Sequence, residues 1–143
     1  MSLENLVKTG KLKVETFNKC EFDGLVFSGK TRLTDALSVK LSKESKFDLI
    51  YNASHSLALA ALRRLGYRST NRYLVFQVIP YTTGLGSDVW RVLAKCHDCR
   101  NLAEYEGYIE IEDQLLADLV IATQKLLSFI HPFSLQHQDK ELS

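Results

Sequence analysis

The stretch SKESKFDLIYNASHSLALAALRRLG, residues 42–66, decides the fold. Within it Phe47, Ile50, Tyr51, Ser54, Leu57, Ala58, Ala61, Leu62 and Leu65 recur at steps of three and four, the period of an α-helix and not of a strand. Leu49, Ala53, Leu59 and Ala60 put apolar atoms on the opposite side as well. A helix that is apolar nearly all round is packed by neighbours on more than one flank, so this one is expected at the centre of the molecule. Ser42 or Ser45 can cap its start, since a hydroxyl there accepts from a free N–H of the first turn. Arg63 and Arg64 suit the negative end of the helix dipole, and Gly66 supplies the left-handed residue that stops it.

The same period continues on both sides, with only seven glycines and two prolines to interrupt it. Phe22, Leu25, Val26, Leu33, Ala36, Leu37 and Leu41 predict a helix over 22–41, weakened in its first half by Gly24 and Gly29. A shorter helix over about 70–83, strained at Pro80, leads to a turn at 84–86. Ser87 or Asp88 then caps a helix to about residue 104, with Val89, Leu93, Cys96 and Ala103 inward, and Gly107 breaks the chain. The last helix, over 112–131, carries Leu115, Leu116, Leu119, Val120, Thr123, Leu126, Leu127 and Ile130 on one face, and Pro132 closes it. Four to five helices with short links imply an all-α, antiparallel up-and-down helical bundle, one domain over 1–132, followed by a disordered tail at 133–143.

A chain of 143 residues, 45% of them hydrophobic, is long enough for one core of its own. No apolar run approaches the roughly 18 to 20 residues that cross a bilayer, so no membrane partner is expected. Three cysteines and no charged-then-apolar leader point to a reducing cytoplasm instead of a disulfide framework. The formal charge of +1 conceals an asymmetry. Residues 63–100 hold seven basic side chains against Asp88 and Asp98, a balance of +5, whereas residues 101–143 hold eight acids against Lys125 and Lys140, a balance of −6. Such a division suits an anionic partner on one side, contact between opposite faces of two molecules, or scattered solubilising charge.

Several groups invite a chemical reading. Cys96-His97-Asp98-Cys99 contains a CxxC, but structural zinc takes four ligands and the remaining cysteine, Cys20, lies far away in sequence; no metal and no cofactor are expected. His55 falls inside the most buried helix, where a structural histidine is the simpler reading. Arg63, Arg64, Arg68 and Arg72, interleaved with Tyr67 and Tyr73 and joined by Lys95, form a candidate nucleic-acid or nucleotide-binding set, with arginines for phosphates and tyrosines for unpaired bases. Surface charge at a helix end accounts for the same residues. P-loop, GxGxxG, GxSxG and HExxH patterns are absent. In the run Arg100-Asn101-Leu102-Ala103-Glu104-Tyr105, Arg100 can grip a phosphate bidentately and Asn101 both donates and accepts. Tyr105 adds a hydroxyl, although five helical steps set it about 140° from Arg100. The two converge only if the helix ends between them or a second subunit contributes.

These pieces occur in a recognisable order. Leu6-Val7-Lys8-Thr9-Gly10-Lys11-Leu12, then Thr31-Arg32-Leu33-Thr34-Asp35-Ala36, Tyr51-Asn52-Ala53, Ala60-Ala61-Leu62-Arg63-Arg64-Leu65-Gly66-Tyr67-Arg68, and Arg100-Asn101 with Tyr105-Glu106-Gly107 span roughly residues 6 to 130. Together they resemble the small bacterial and archaeal proteins of the HEPN superfamily. The resemblance implies a helical bundle that forms a homodimer, and RNA or a nucleotide as ligand. It also implies metal-independent ribonuclease activity of the kind found in toxins paired with a minimal nucleotidyltransferase antitoxin. The family motif is an arginine, a polar residue and, four to six residues on, a histidine. Arg100 and Asn101 match its start and Tyr105 stands where the histidine would be, so the expected catalytic set is Arg100 gripping phosphate, Asn101 orienting it and Tyr105 hydrogen-bonding nearby. Tyrosine, with an ordinary pKa near 10, is a poor general base. His97, one turn before Arg100, lies outside the motif but within reach of it. The alternative implied is a non-catalytic interaction module that partners a nucleotidyltransferase.

Overall fold

In the computed structural model the backbone is described for residues 2–107 and 110–142, and the side chains as far as 134. Among these residues the order is α1 (Leu3–Lys8), β1 (Lys13–Val14), α2 (Lys19–Ser38), α3 (Lys43–Arg64), β2 (Tyr67–Arg68), α4 (Arg72–Gln77), α5 (Ile79–Thr83), α6 (Ser87–Glu106) and α7 (Asp113–Leu142). The protein is an all-α helical bundle with one very short β-ladder.

α3 is the central helix. Phe47, Ile50, Tyr51, Leu57, Ala58, Ala61 and Leu62 are buried on one face, and Ala53 and Ala60 are buried on the other, because α2, α6 and α7 all pack on it. Side-chain pairs fix the directions. Glu21 of α2 meets Arg63 near the end of α3, and Asp48 near the start of α3 meets Arg100 near the end of α6, so α3 runs antiparallel to both. Asp23 of α2 meets Ser134 of α7, which turns α7 antiparallel to α2. The four long helices therefore alternate up and down. The closest approach is at Gly29 of α2, where a Cβ would lie 2.6 Å from Leu57 Cγ and 3.2 Å from the Ala53 carbonyl oxygen.

Helix ends follow local chemistry. Ser42 caps α3 by accepting from the Ser45 N–H at 3.2 Å, and Asn18 caps α2 by accepting from the Glu21 N–H at 2.9 Å. The expected helix over 70–83 is two helices, since Pro80 has no N–H to donate and is accommodated in the first turn of α5. α6 starts after an extended Gly86 without a side-chain cap, and the Asp88 carboxylate turns to Lys125 Nζ of α7 at 2.6 Å.

Pro132 does not close the last helix: α7 carries it in its interior. Pro132 and Ser128, whose carbonyl loses its usual donor, are both exposed, so water can take the vacant acceptor. Beyond it Phe133 packs on the core and the Ser134 hydroxyl donates to Asp23 Oδ1 at 3.0 Å, so the expected tail is anchored at its first two residues. The side chains of the remainder, from 135, lie outside those described.

The N-terminal elements have no counterpart in the sequence expectation. Leu3, Leu6 and Leu12 are buried, and β1 pairs antiparallel with β2, Lys13 opposite Arg68. Arg63 ties this corner together and is only 1% exposed. Its Nε donates to Glu21 Oε1 at 2.8 Å, and its Nη atoms donate to the carbonyls of Glu15 at 3.2 Å, Thr16 at 2.9 Å and Tyr67 at 3.3 Å. The expectation that Arg63 binds nucleic acid is therefore corrected: every face of its guanidinium is committed inside the protein. Arg68 closes the same cluster on Glu15 and Glu21.

Candidate functional site

Tyr51, at the middle of α3, has its ring in the core and its hydroxyl aimed between α3, α4 and α6. There it meets His97 Nδ1 of α6 at 2.9 Å. His97 and Asn101 are four residues apart on one face of α6, and Asn101 Nδ2 donates to His97 Nε2 at 3.0 Å. With Nε2 accepting, the ring proton rests on Nδ1 and is donated to the Tyr51 oxygen. Tyr73 and Phe76 of α4 wall the imidazole, their ring centroids 5.9 Å and 6.4 Å from its own.

Two guanidinium groups flank this arrangement. Arg100 lies over the Tyr51 ring at 5.2 Å from its centroid, and Arg72 lies over it at 5.9 Å. Arg72 also donates to Asn52 Oδ1 at 3.4 Å. Arg100 approaches Asp48 at 3.8 Å and Glu104 at 3.2 Å, both exposed carboxylates that an incoming anion can displace. Burial, reinforced by Arg100 and Arg72, holds the His97 pKa below the ordinary imidazole value against the opposing pull of Asp98 and Glu104. His55, one turn along α3 from Tyr51 and edge-on to Phe76, is pushed down to about 4, first by burial and then by Arg72, His97 and Arg100. Burial raises the Tyr51 phenol. The site thus presents a neutral imidazole beside two fixed positive charges, a combination suited to holding a phosphate and accepting a proton next to it.

No family model, curated protein or solved structure matches this chain. Each residue's role therefore rests on its own surroundings.

Of the residues singled out in the sequence, Arg100, Asn101 and Arg72 are brought together. Tyr105 is not among them. α6 continues helically through Glu106, which keeps Tyr105 on a different face from Arg100, and its side chain is 93% exposed. The early helix end that would let the two converge within one molecule does not occur. Arg64 lies apart, stacked over Phe133 at 4.1 Å and Phe129 at 5.6 Å and donating to the Thr82 carbonyl at 3.4 Å, a packing role between α3 and α7. Arg68 is held by Glu15 and Glu21, and Lys95 sits on the outer side of α6 near Glu112 and Asp118.

Tyr51 and His55 complete the site without having been singled out for it, and Tyr73, read in the sequence as a base-stacking ring, stands beside them. The i, i+3, i+4 spacing of His97, Arg100 and Asn101 is the signal that links the histidine to the motif. Among the described residues no group of three or more His, Cys, Asp or Glu side chains is placed to hold a metal ion. Cys96 is buried, which pushes its thiol up to about 12, and Cys20 is exposed on another helix. No described helix is long and apolar enough to cross a membrane.

Proposed function

We propose that this is a cytoplasmic, homodimeric, HEPN-like protein that binds RNA through the His97, Arg100 and Asn101 cluster and cleaves it without a metal. The observation that carries the reading is the convergence of Arg72 and Arg100 over Tyr51, beside a histidine hydrogen-bonded on both ring nitrogens. Arg100 and Arg72 grip the phosphodiester. Asn101, being exposed, swings away and frees His97 Nε2, which accepts the proton of the neighbouring ribose 2′-hydroxyl. The 2′-oxygen then attacks phosphorus, the bond to the 5′-oxygen breaks, and the imidazolium returns its proton to that leaving oxygen, giving a 2′,3′-cyclic phosphate. In this scheme His97 takes the proton-transfer role that the family motif gives to its own histidine, and Tyr105 has no part in it.

A second reading, a non-catalytic module that docks a nucleotidyltransferase, is favoured by Leu102 and Tyr105. They stand one turn apart on α6 and are 56% and 93% exposed, an apolar pair suited to a protein partner.

RNA degradation in EDTA, compared between the wild type and Arg100→Ala, tests the first reading. Cleavage by the wild type and its loss in the variant, with Tm unchanged within a few degrees, is the expected result. A wild type that neither binds nor cleaves RNA leaves the docking module.

A further inference from the structure

A cavity of about 440 Å³ opens beside this cluster, between the turn at Gly10, the β1–β2 ladder and the start of α4. Lys11, Lys13, Arg68, Ser69, Asn71 and Tyr73 contribute to its wall, and no acidic side chain does. Arg68 is engaged with Glu15 and Glu21. Lys11 and Lys13 are exposed and, among the described residues, pair with no carboxylate. Leu12 between them is buried and β1 is hydrogen-bonded to β2, so the two lysines stand at one opening. Such a concentration of unpaired cations is relieved by an anion.

Tyr73 joins this cavity to the candidate site. It lines the cavity, is 38% exposed, and has its ring centroid 5.9 Å from that of His97. Tyr73 therefore belongs both to the wall of the cavity and to the wall of the His97 imidazole.

We propose that the cavity is a subsite for single-stranded RNA, in which a base stacks on Tyr73 and the backbone phosphates that follow it lie at Lys11 and Lys13. This rests on the reading of the His97–Arg100 cluster as an RNA site and extends it from one phosphodiester to a strand. Aromatic rings take any base by its π-face, and the lysines act as point charges, so the subsite is sequence-tolerant.

The test is fluorescence anisotropy with a labelled, 2′-O-methylated single-stranded oligouridylate, which binds without being cleaved. Wild type, Lys11→Ala/Lys13→Ala, Tyr73→Ala, Tyr73→Phe and Arg100→Ala are measured over a salt series. The double lysine variant should bind about tenfold or more weakly, and its log–log salt slope should be shallower by about 1.4, two single-strand phosphate contacts. Tyr73→Ala should lose about fivefold or more while Tyr73→Phe keeps the wild-type affinity. Unchanged affinity and slope in the lysine variant, or equal affinity for duplex RNA, overturns the subsite. The Arg100 variant separates the two ideas: loss with Arg100→Ala alone refutes the subsite and leaves the cluster, and loss with the lysine variant alone does the reverse.

Discussion

The Tyr51 hydroxyl and His97 Nδ1 are 2.9 Å apart although the residues lie 46 positions apart in sequence, and this contact fixes the orientation of the one imidazole that stands beside Arg100. A core residue of the central helix thereby orients a ring on the outer one, whose tautomer is set by the Asn101 amide that donates to Nε2. Tyr51→Phe keeps the ring on which Arg72 and Arg100 rest and removes only the oxygen. Its expected effect is a stability loss of about 1 kcal/mol, RNA binding unchanged within about twofold, and a clear fall in cleavage rate. Thermal melts, anisotropy and a cleavage time course on one preparation measure all three.

His55 predicts how stability depends on pH. Its pKa falls from the ordinary 6.5 to about 4 on folding, so between those values the unfolded chain binds the proton and the folded one does not. Stability should therefore fall as pH drops through this window, by on the order of 3 kcal/mol for the full shift. His97, displaced in the same direction, adds to the slope. His55→Gln should flatten the dependence in urea titrations between pH 7 and 4; an unchanged slope would assign it to other groups.

Arg63 should behave as a structural residue. Arg63→Ala removes the donor to Glu21 and to the carbonyls of Glu15, Thr16 and Tyr67, and is expected to cost about 3 kcal/mol or more. Urea denaturation measures it, and the surviving folded fraction should bind RNA with wild-type affinity.

Two glycines of α2 should respond in opposite ways. Gly24→Ala meets nothing within 4 Å and should stabilise the helix by about 0.5–1 kcal/mol, as alanine loses less freedom on folding. Gly29→Ala drives a methyl against Leu57 and should destabilise by about 1–3 kcal/mol through overpacking. Paired thermal melts decide both signs.

The four long helices were legible because their periodicity is local: the α3 face from Phe47 to Leu62 is buried where its three- and four-residue steps place it. The β-ladder left no such trace, since Lys13–Val14 and Tyr67–Arg68 are too short for an alternation to register. The burial of Arg63 is not legible in the sequence because three of its four partners, Glu15, Thr16 and Glu21, lie more than forty residues earlier, in a segment with no recognisable pattern. Pro132 carries a genuine stop signal, overridden by the packing of Phe133 and the bond from Ser134 to Asp23. Within the site, Arg100 and Asn101 stand out in the sequence because they are adjacent. That His97 stands with them while Tyr105 lies on another face required knowing that α6 continues unbroken to Glu106 and that the Tyr51 hydroxyl of α3 reaches His97.

The most direct measurement is the cleavage of a single-stranded RNA in EDTA by wild type, His97→Ala and Tyr105→Phe at equal folded concentration. His97→Ala should abolish cleavage while retaining most of the binding, since Arg72 and Arg100 remain, and Tyr105→Phe should cleave as the wild type does. Full activity in His97→Ala together with its loss in Tyr105→Phe would exclude His97 as the proton-transfer group and return the chemistry to Tyr105.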